Sequence, residues 1–279
     1  MPVQPVGRLW LSRRLTGERA NGLNRSTDMR YAILSDIHSN LEALSTVLDA
    51  LAAERVDRIL CLGDVIGYGA DPTACLERLQ AREAVTVGGN HDLACVGKLD
   101  VNGFNDAARA AVVWTRNQLS IADLDALRRF PLTVTIEPFT LVHGSLRHPQ
   151  RFDYLLDAAQ MVDTLTTCRT LICLAGHTHL PCFVEFDRVQ RRLARMLTSP
   201  QPMADLAYEE APDTYRYLVN PGSVGQPRDG DPRASFAIVD TGRRRVSFQR
   251  VPYDVAAAQR KIRQAGLPEF LAARLEVGR

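Results

Sequence analysis

From Met29 onward, short apolar runs alternate with longer stretches in which apolar residues recur every three or four positions. Tyr31-Ala32-Ile33-Leu34-Ser35 reads as a buried strand that stops at Asp36. Leu41–Glu54 reads as a helix, with Leu41, Leu44, Val47, Leu48 and Leu51 on one stripe and Asn40 placed to cap its start. Arg58–Leu62 is a second strand, ending at Gly63-Asp64. A strand, helix and strand in this order form a βαβ unit, so the two strands are expected to be parallel neighbours. Asp36 and Asp64 then emerge side by side at the carboxyl edge, where open α/β sheets bind ligands.

The alternation continues. Thr73–Ala81 is expected to be helical, and Ala84–Val87 is a short strand that runs into Gly88-Gly89-Asn90-His91-Asp92, read as a loop. Asn105–Leu119 and Ile121–Arg129 are expected helices, and Leu132–Ile136 and Phe139–Val142 pair across a Glu137-Pro138 turn. Leu155–Thr167 is a helix and Leu171–Ala175 a buried strand that stops at Gly176. Phe183–Phe186 and Tyr217–Val219 read as strands, with residues 198–214 between them as a proline-bearing loop. Ala234–Val239 and Arg245–Val251 form a closing hairpin around Thr241-Gly242, followed by helices over Val255–Ala265 and Pro268–Leu275. Residues 1–28 differ: Arg8, Arg13, Arg14, Arg19 and Arg25 face only Glu18 and Asp28, with no periodic apolar pattern. They are expected to be a disordered tail or the product of a start assigned too early, which leaves 29–279 as the folded domain.

Bulk properties narrow the chemistry. A net charge of +2 exerts no overall pull on nucleic acid or anionic lipid, so an anionic substrate must be held by a local site. None of the six cysteines forms a CxxC pair, and Cys61 and Cys173 sit inside apolar runs, as expected of reduced thiols in a cytoplasmic protein. No apolar run approaches the roughly 18 residues that span a bilayer.

Five of the six histidines lie in segments that follow strand-like runs: Asp36-Ile37-His38, Asn90-His91, His143-Gly144 and Gly176-His177-Thr178-His179. Only His148 falls outside. Carboxylates, imidazoles and one amide oxygen, without thiolate, suit Mn, Fe, Zn or Ni better than Mg or Ca, and manganese is favoured. Asp36, His38, Asp64, Asn90, His143, His177 and His179 are too many ligands for one tetrahedral ion and enough for two if one carboxylate bridges. In extended chain, residues two apart point the same way, so Asp36 with His38, and His177 with His179, are each expected to aim into one pocket. Tyr68, in a glycine-rich loop beside Asp64, and Ser223, Gln226 and Arg228, after a late strand, are candidate substrate contacts.

This motif set resembles that of the calcineurin-like metallophosphoesterases. The resemblance runs from about Met29 to the C-terminus and includes Asn220-Pro221-Gly222-Ser223, which is similar to a late loop of the small bacterial members. It implies an α/β fold: a four-layer αββα sandwich of two mixed sheets flanked by helices, with two metals at the strand ends. Carried over by match, Asp36, His38 and His179 hold the first metal, Asn90, His143 and His177 the second, and Asp64 bridges them. His91 is then the proton donor, and a hydroxide between the ions attacks phosphorus. The Ser/Thr protein phosphatases of this superfamily continue the Gly-Asp motif with an Asp-Arg pair and have Glu after Asn-His, whereas here the stretch reads Gly63-Asp64-Val65-Ile66-Gly67-Tyr68-Gly69 and Asp92 follows His91. That disfavours a protein phosphatase and leaves Asp92 or Asp71 as candidate partners of His91. The expected function is hydrolysis of a small phosphomonoester or phosphodiester. A nuclease, or a non-catalytic scaffold of the same fold, is the alternative.

A chain that begins at Met29 is expected to keep its turnover and to melt within about 3 °C of the full chain. A larger loss of thermal stability would show that residues 1–28 pack on the domain.

Overall fold

The computed structural model describes residues 28–199 and 203–279; the expectation for residues 1–28 lies outside them apart from Asp28. The chain opens as β1 (Arg30–Leu34), α1 (Leu41–Glu54), β2 (Arg58–Cys61), α2 (Pro72–Ala81) and β3 (Val85–Thr86). Three helices follow, α3 (Asn90–Cys95), α4 (Asp106–Gln118) and α5 (Ile121–Arg128), then β4 (Thr133–Ile136) and β5 (Phe139–Val142). The second half runs α6 (Ala158–Thr167), β6 (Ile172–Ala175), β7 (Cys182–Asp187), β8 (Arg192–Thr198), β9 (Asp205–Ala207) and β10 (Tyr215–Asn220). It closes with β11 (Ala234–Asp240), β12 (Arg245–Val251), α7 (Val255–Gln264) and α8 (Glu269–Val277).

Two six-stranded sheets result, in the orders β3-β2-β1-β11-β12-β9 and β4-β5-β6-β10-β7-β8. Both are mixed. β1, β2 and β3 are parallel, as are β5, β6 and β10, while the remaining pairings are antiparallel. The parallel strands end at one edge in each sheet, and the chemistry-bearing segments follow those ends.

Period-2 alternation explains the layering. Tyr31 and Ile33 of β1 join Leu60, Phe139, Leu141, Ile172, Leu174 and Tyr217 in a core between the sheets. Ala32 and Leu34 face the other way, into a core with Leu44, Val47, Leu48 and Leu51 of α1. Burying each such aliphatic side chain stabilises the fold by about 1.5–3 kcal/mol. The outer face of the second sheet, through Cys173, Val184 and Leu218, is covered by Met161 and Leu165 of α6. The order is helices, sheet, sheet, helix, the expected αββα sandwich. All six cysteines lie buried as free thiols. Among the described residues, no helix is long and apolar enough to cross a membrane.

Four elements differ from the sequence reading. Asn90–Cys95 is a helix, not a loop; the Asp92 carboxylate accepts from Gly89 N at 3.0 Å and secures its first turn. α6 starts at Ala158, because Asp157 caps it and Gln160 reaches back to the amide of Asp157. β8 and β9 are edge strands that owe their shape to pairing with β7 and β12. Their sequences, rich in arginine or very short, carry no apolar alternation that announces a strand.

Candidate metal centre

The loops at the two carboxyl edges interlock. Asp36 N donates to Gly63 O, His38 N to Asp64 O and Ser39 N to Val65 O, each at 3.0 Å, which stitches the β1 loop to the β2 loop. Gly176 N donates to His143 O at 2.8 Å, and Val224 N and Gly225 N donate to Ser35 O and Asp36 O at 3.0 Å. Within this frame Asp36, His38, Asp64, Tyr68, His177 and His179 all take left-handed backbone, with φ between 50° and 67°. The expected extended i, i+2 geometry is therefore wrong. Asp36 and His38 do converge, as do His177 and His179, but through tight left-handed turns. Such residues cost about 1–3 kcal/mol each, and the surrounding hydrogen bonds hold them there.

The seven expected ligands come together. Asp36 uses Oδ2 to accept from Ser35 Oγ at 2.6 Å and His177 N at 3.0 Å. Its Oδ1 has no hydrogen-bond partner and faces His179 Nε2 at 3.1 Å, His38 Nε2 at 3.7 Å and His143 Nε2 at 3.9 Å. Asp64 divides its oxygens in the same way: Oδ1 accepts from His91 N at 2.9 Å, while Oδ2 lies 3.3 Å from His143 Nε2 and 3.6 Å from His38 Nε2. Asn90 Oδ1 is 3.2 Å from His143 Nε2. Gly89 is needed because a Cβ there would sit 2.1 Å from Asp64 Oδ1.

Three imidazoles have their tautomer set by the backbone. Nδ1 of His38 donates to Ile66 O at 3.3 Å, that of His143 to Leu62 O at 2.7 Å, and that of His179 to Gln226 O at 2.5 Å. A carbonyl only accepts, so each Nε2 presents its lone pair to the cluster when the ring is neutral. His38 Nε2 and His179 Nε2 then face each other at 3.2 Å, beside the partnerless Asp36 Oδ1. Lone pairs and a carboxylate oxygen converge where only a cation satisfies them. The donor set fits divalent metal, in the groups Asp36–His38–His179 and Asp64–His143–His177.

The electrostatics agree. Burial alone would raise both carboxyls, but His179 and His143 beside Asp36, and His143 and His91 beside Asp64, hold them below the ordinary carboxylate range. Burial pushes His38, His177 and His179 down, His177 to about 3. Burial also disfavours charge on His143, yet the Asp64 carboxylate outweighs it and lifts this ring to about 9. Ionised carboxylates and neutral imidazoles are the forms that bind metal, and a proton on His143 is what an arriving cation would displace.

His91 sits beside the ligands. Its ring is 4.3 Å from Tyr68, 5.0 Å from His38 and 5.1 Å from Phe104, between ring centroids. It also falls within reach of a third possible ligand group with His38 and Asp64. Neither expected acid orients it. The Asp92 carboxylate accepts from Ile66 N and Gly89 N, and Asp71 pairs with Lys261 at 2.9 Å. His91 Nδ1 is buried without a partner, so aromatic packing fixes the ring instead.

The candidate substrate contacts separate. Tyr68 lines an open cleft of about 350 Å³ together with Asn90, His91, Phe104, Tyr154 and His177. Ser223 does not belong to that lining. It is fully buried, its hydroxyl donates to Asp36 O at 2.7 Å and accepts from Gln226 N at 2.8 Å, so it braces the Asp36 backbone. Gln226 does the same for His179 through its carbonyl. Arg228 stays partly exposed, and its charge helps to hold down His91 and His179. His148 is exposed on its loop. Two contributors were missed in the sequence. Tyr154 stacks on His177 with centroids 4.0 Å apart, and Asn220 Nδ2 donates to Gly176 O at 2.8 Å and Thr178 Oγ1 at 3.0 Å, which shapes the His177–His179 turn. The Phe152-Asp153-Tyr154 aromatics soon after His143 were the available signal for Tyr154.

Asp64→Ala is expected to lower the content of both metals when the purified, reloaded protein is assayed by mass spectrometry. His148→Ala should retain about two equivalents. Equal metal loss in both variants would contradict the separation of a buried cluster from a bystander.

The model of the calcineurin-like phosphoesterase superfamily domain matches residues 29–244. An uncharacterized protein of Methanocaldococcus jannaschii is 36% identical over 252 residues, 89% of this chain and 98% of that one. The crystal structure of a metallophosphoesterase from Sphaerobacter thermophilus is 40% identical, covers 91% of this chain and 100% of its own, and superposes with a TM-score of 0.76. A hypothetical protein of Pyrococcus horikoshii, 20% identical over 90% of this chain and 98% of its own, shares the fold with a TM-score of 0.69. With the fold, the buried ligand cluster and these matches in agreement, the chain belongs to the calcineurin-like phosphoesterase superfamily.

Proposed function

We propose that this protein hydrolyses a small phosphomonoester or phosphodiester at a dinuclear metal centre. The observation that supports this most is the convergence of the Nε2 atoms of His38, His143 and His179 on the inward oxygens of Asp36 and Asp64. Two divalent cations bound there would activate water at neutral pH and neutralise the phosphoryl oxygens. Asp36, His38 and His179 would hold one, Asn90, His143 and His177 the other, with Asp64 shared. Manganese is the favoured metal.

The chain's own residues set the rest. The cleft of about 350 Å³ is at the lower end of small-ligand sites, which favours a small substrate over a nucleic acid. Tyr68, Phe104 and Tyr154 give it aromatic walls. His91 opens onto this cleft beside Asn90 and is our proton donor to the leaving oxygen. Burial lowers His91 to about 4, so it is neutral before substrate enters. A phosphoryl group at the cleft adds negative charge beside the ring and favours its protonated form.

A general acid contributes on the order of 10²–10⁴ in rate, and most where the departing oxygen is a basic alkoxide. His91→Ala is therefore expected to keep its metals, lose alkyl phosphoester hydrolysis severely and retain more activity on nitrophenyl esters, whose leaving group needs no proton. Loss of one metal equivalent would assign His91 as a ligand. Equal losses on both substrate types would assign it to phosphoryl positioning.

A further inference from the structure

Arg228 and Arg274 pair with no Asp or Glu side chain among the described residues. Arg228 lies within the loop between β10 and β11; its Nη2 donates to Gln226 Oε1 at 3.1 Å, and its Nε is buried with no hydrogen-bond partner. The adjacent acid, Asp229, is already engaged by Arg250 and by Ser199 Oγ. Arg274 stands on α8, with its guanidinium 4.9 Å above the Phe270 ring and its Nε donating to the Arg279 carbonyl. Neither guanidinium meets an Asp or Glu side chain within ion-pair distance among the described residues.

The fold brings α8 to the site. Leu271 and Leu275, which flank Arg274 on the helix, line a common cavity with Tyr68, Gly225 and Gln226. Gly230 N donates to Gly278 O at 2.9 Å, which ties the Arg228 loop to the end of α8. The charges feel one another: burial and the positive charge of Arg228 push Arg274 down to about 10, against the pull of Tyr68 and Tyr154. Arg274 remains charged at neutral pH. Two partly buried like charges beside a buried, unsatisfied donor destabilise the free protein, and an anion between them would relieve both defects. The metals would bind one phosphoryl group, and Tyr68 lines both this cavity and the cleft beside the candidate ligands.

We propose that Arg228 and Arg274 form a two-arginine clamp that binds a second anionic group of the substrate, a phosphate or a carboxylate, on the side of the ester that does not react. The clamp rests on the phosphoesterase reading above. It makes α8, which lies beyond residues 29–244, part of substrate recognition.

The test compares ethyl 4-nitrophenyl phosphate with its 2-carboxyethyl and 2-phosphonoethyl analogues on the metal-loaded protein. The wild type should prefer the analogues, and whichever it prefers more names the anion. Arg228→Gln and Arg274→Gln should each cut that preference about tenfold, through KM more than kcat, with Arg274→Lys recovering part of it. The double variant should lose less than the two singles combined, because both grip one group. Binding of methylenediphosphonate, measured by calorimetry, should weaken about tenfold in the single variants. No wild-type preference, parallel losses on all three esters, or unchanged diphosphonate binding would overturn the clamp. If the wild type hydrolyses none of the esters, the phosphoesterase reading fails, and the calorimetry still decides the clamp by itself.

Discussion

Two carboxylates and four imidazoles are packed out of water around one point, and the rest of the structure follows from the need to keep them there. Asp36 and Asp64 are almost fully buried, and so are His38, His143 and His179. Burial of a charge is costly unless it is compensated, and each carboxylate spends only one oxygen on protein donors. The inward oxygens and the inward Nε2 lone pairs are left for cations. This demand accounts for the strained loops, because relaxed strand ends would not gather these ligand atoms into groups whose members lie within 4.8 Å of one another. Hydrogen bonds between loops of different strands, and between the two sheets, hold the left-handed turns in place.

The layered fold supplies the rigidity that the cluster requires. Parallel strands of both sheets end at the same edge, with an apolar core between the sheets directly behind them. The support also extends outward. Asn220 shapes the His177–His179 turn, Ser223 braces Asp36, Gln226 orients His179, and Asn40 links the start of α1 to Gly225 O at 2.8 Å. The Asn220–Arg228 segment thus supports the candidate ligands with one end and carries one arginine of the proposed clamp at the other. Ligands positioned by partners of this kind keep their geometry when substrate arrives.

Much of this was legible in the residues. Asp36, His38, Asp64, Asn90, His143, His177 and His179 stood out because each follows an apolar strand-like run, and strand ends of an α/β sheet share one edge. What escaped was decided by tertiary contacts. The helix at Asn90–Cys95 is too short to show a periodic stripe, and its first turn is held by Asp92. The left-handed backbone at Asp36 and His38 depends on the Asp64 loop some 30 residues away and leaves no local trace. β8 and β9 exist because a neighbouring strand offers hydrogen bonds. Ser223 looked available to substrate, since sequence does not reveal that its hydroxyl is already occupied on both sides. Tyr154 left only the signal of an aromatic pair soon after His143, because its stacking on His177 is set by packing across the fold.

The central claim is that the buried cluster holds two cations with Asp64 between them. Anomalous diffraction from crystals of the metal-loaded protein, collected at the metal's absorption edge, tests it most directly. The account predicts two peaks about 3.5–4 Å apart. Asp36, His38 and His179 should surround one, Asn90, His143 and His177 the other, and the Asp64 carboxylate should touch both. A single peak, or two peaks of which Asp64 touches only one, would contradict it.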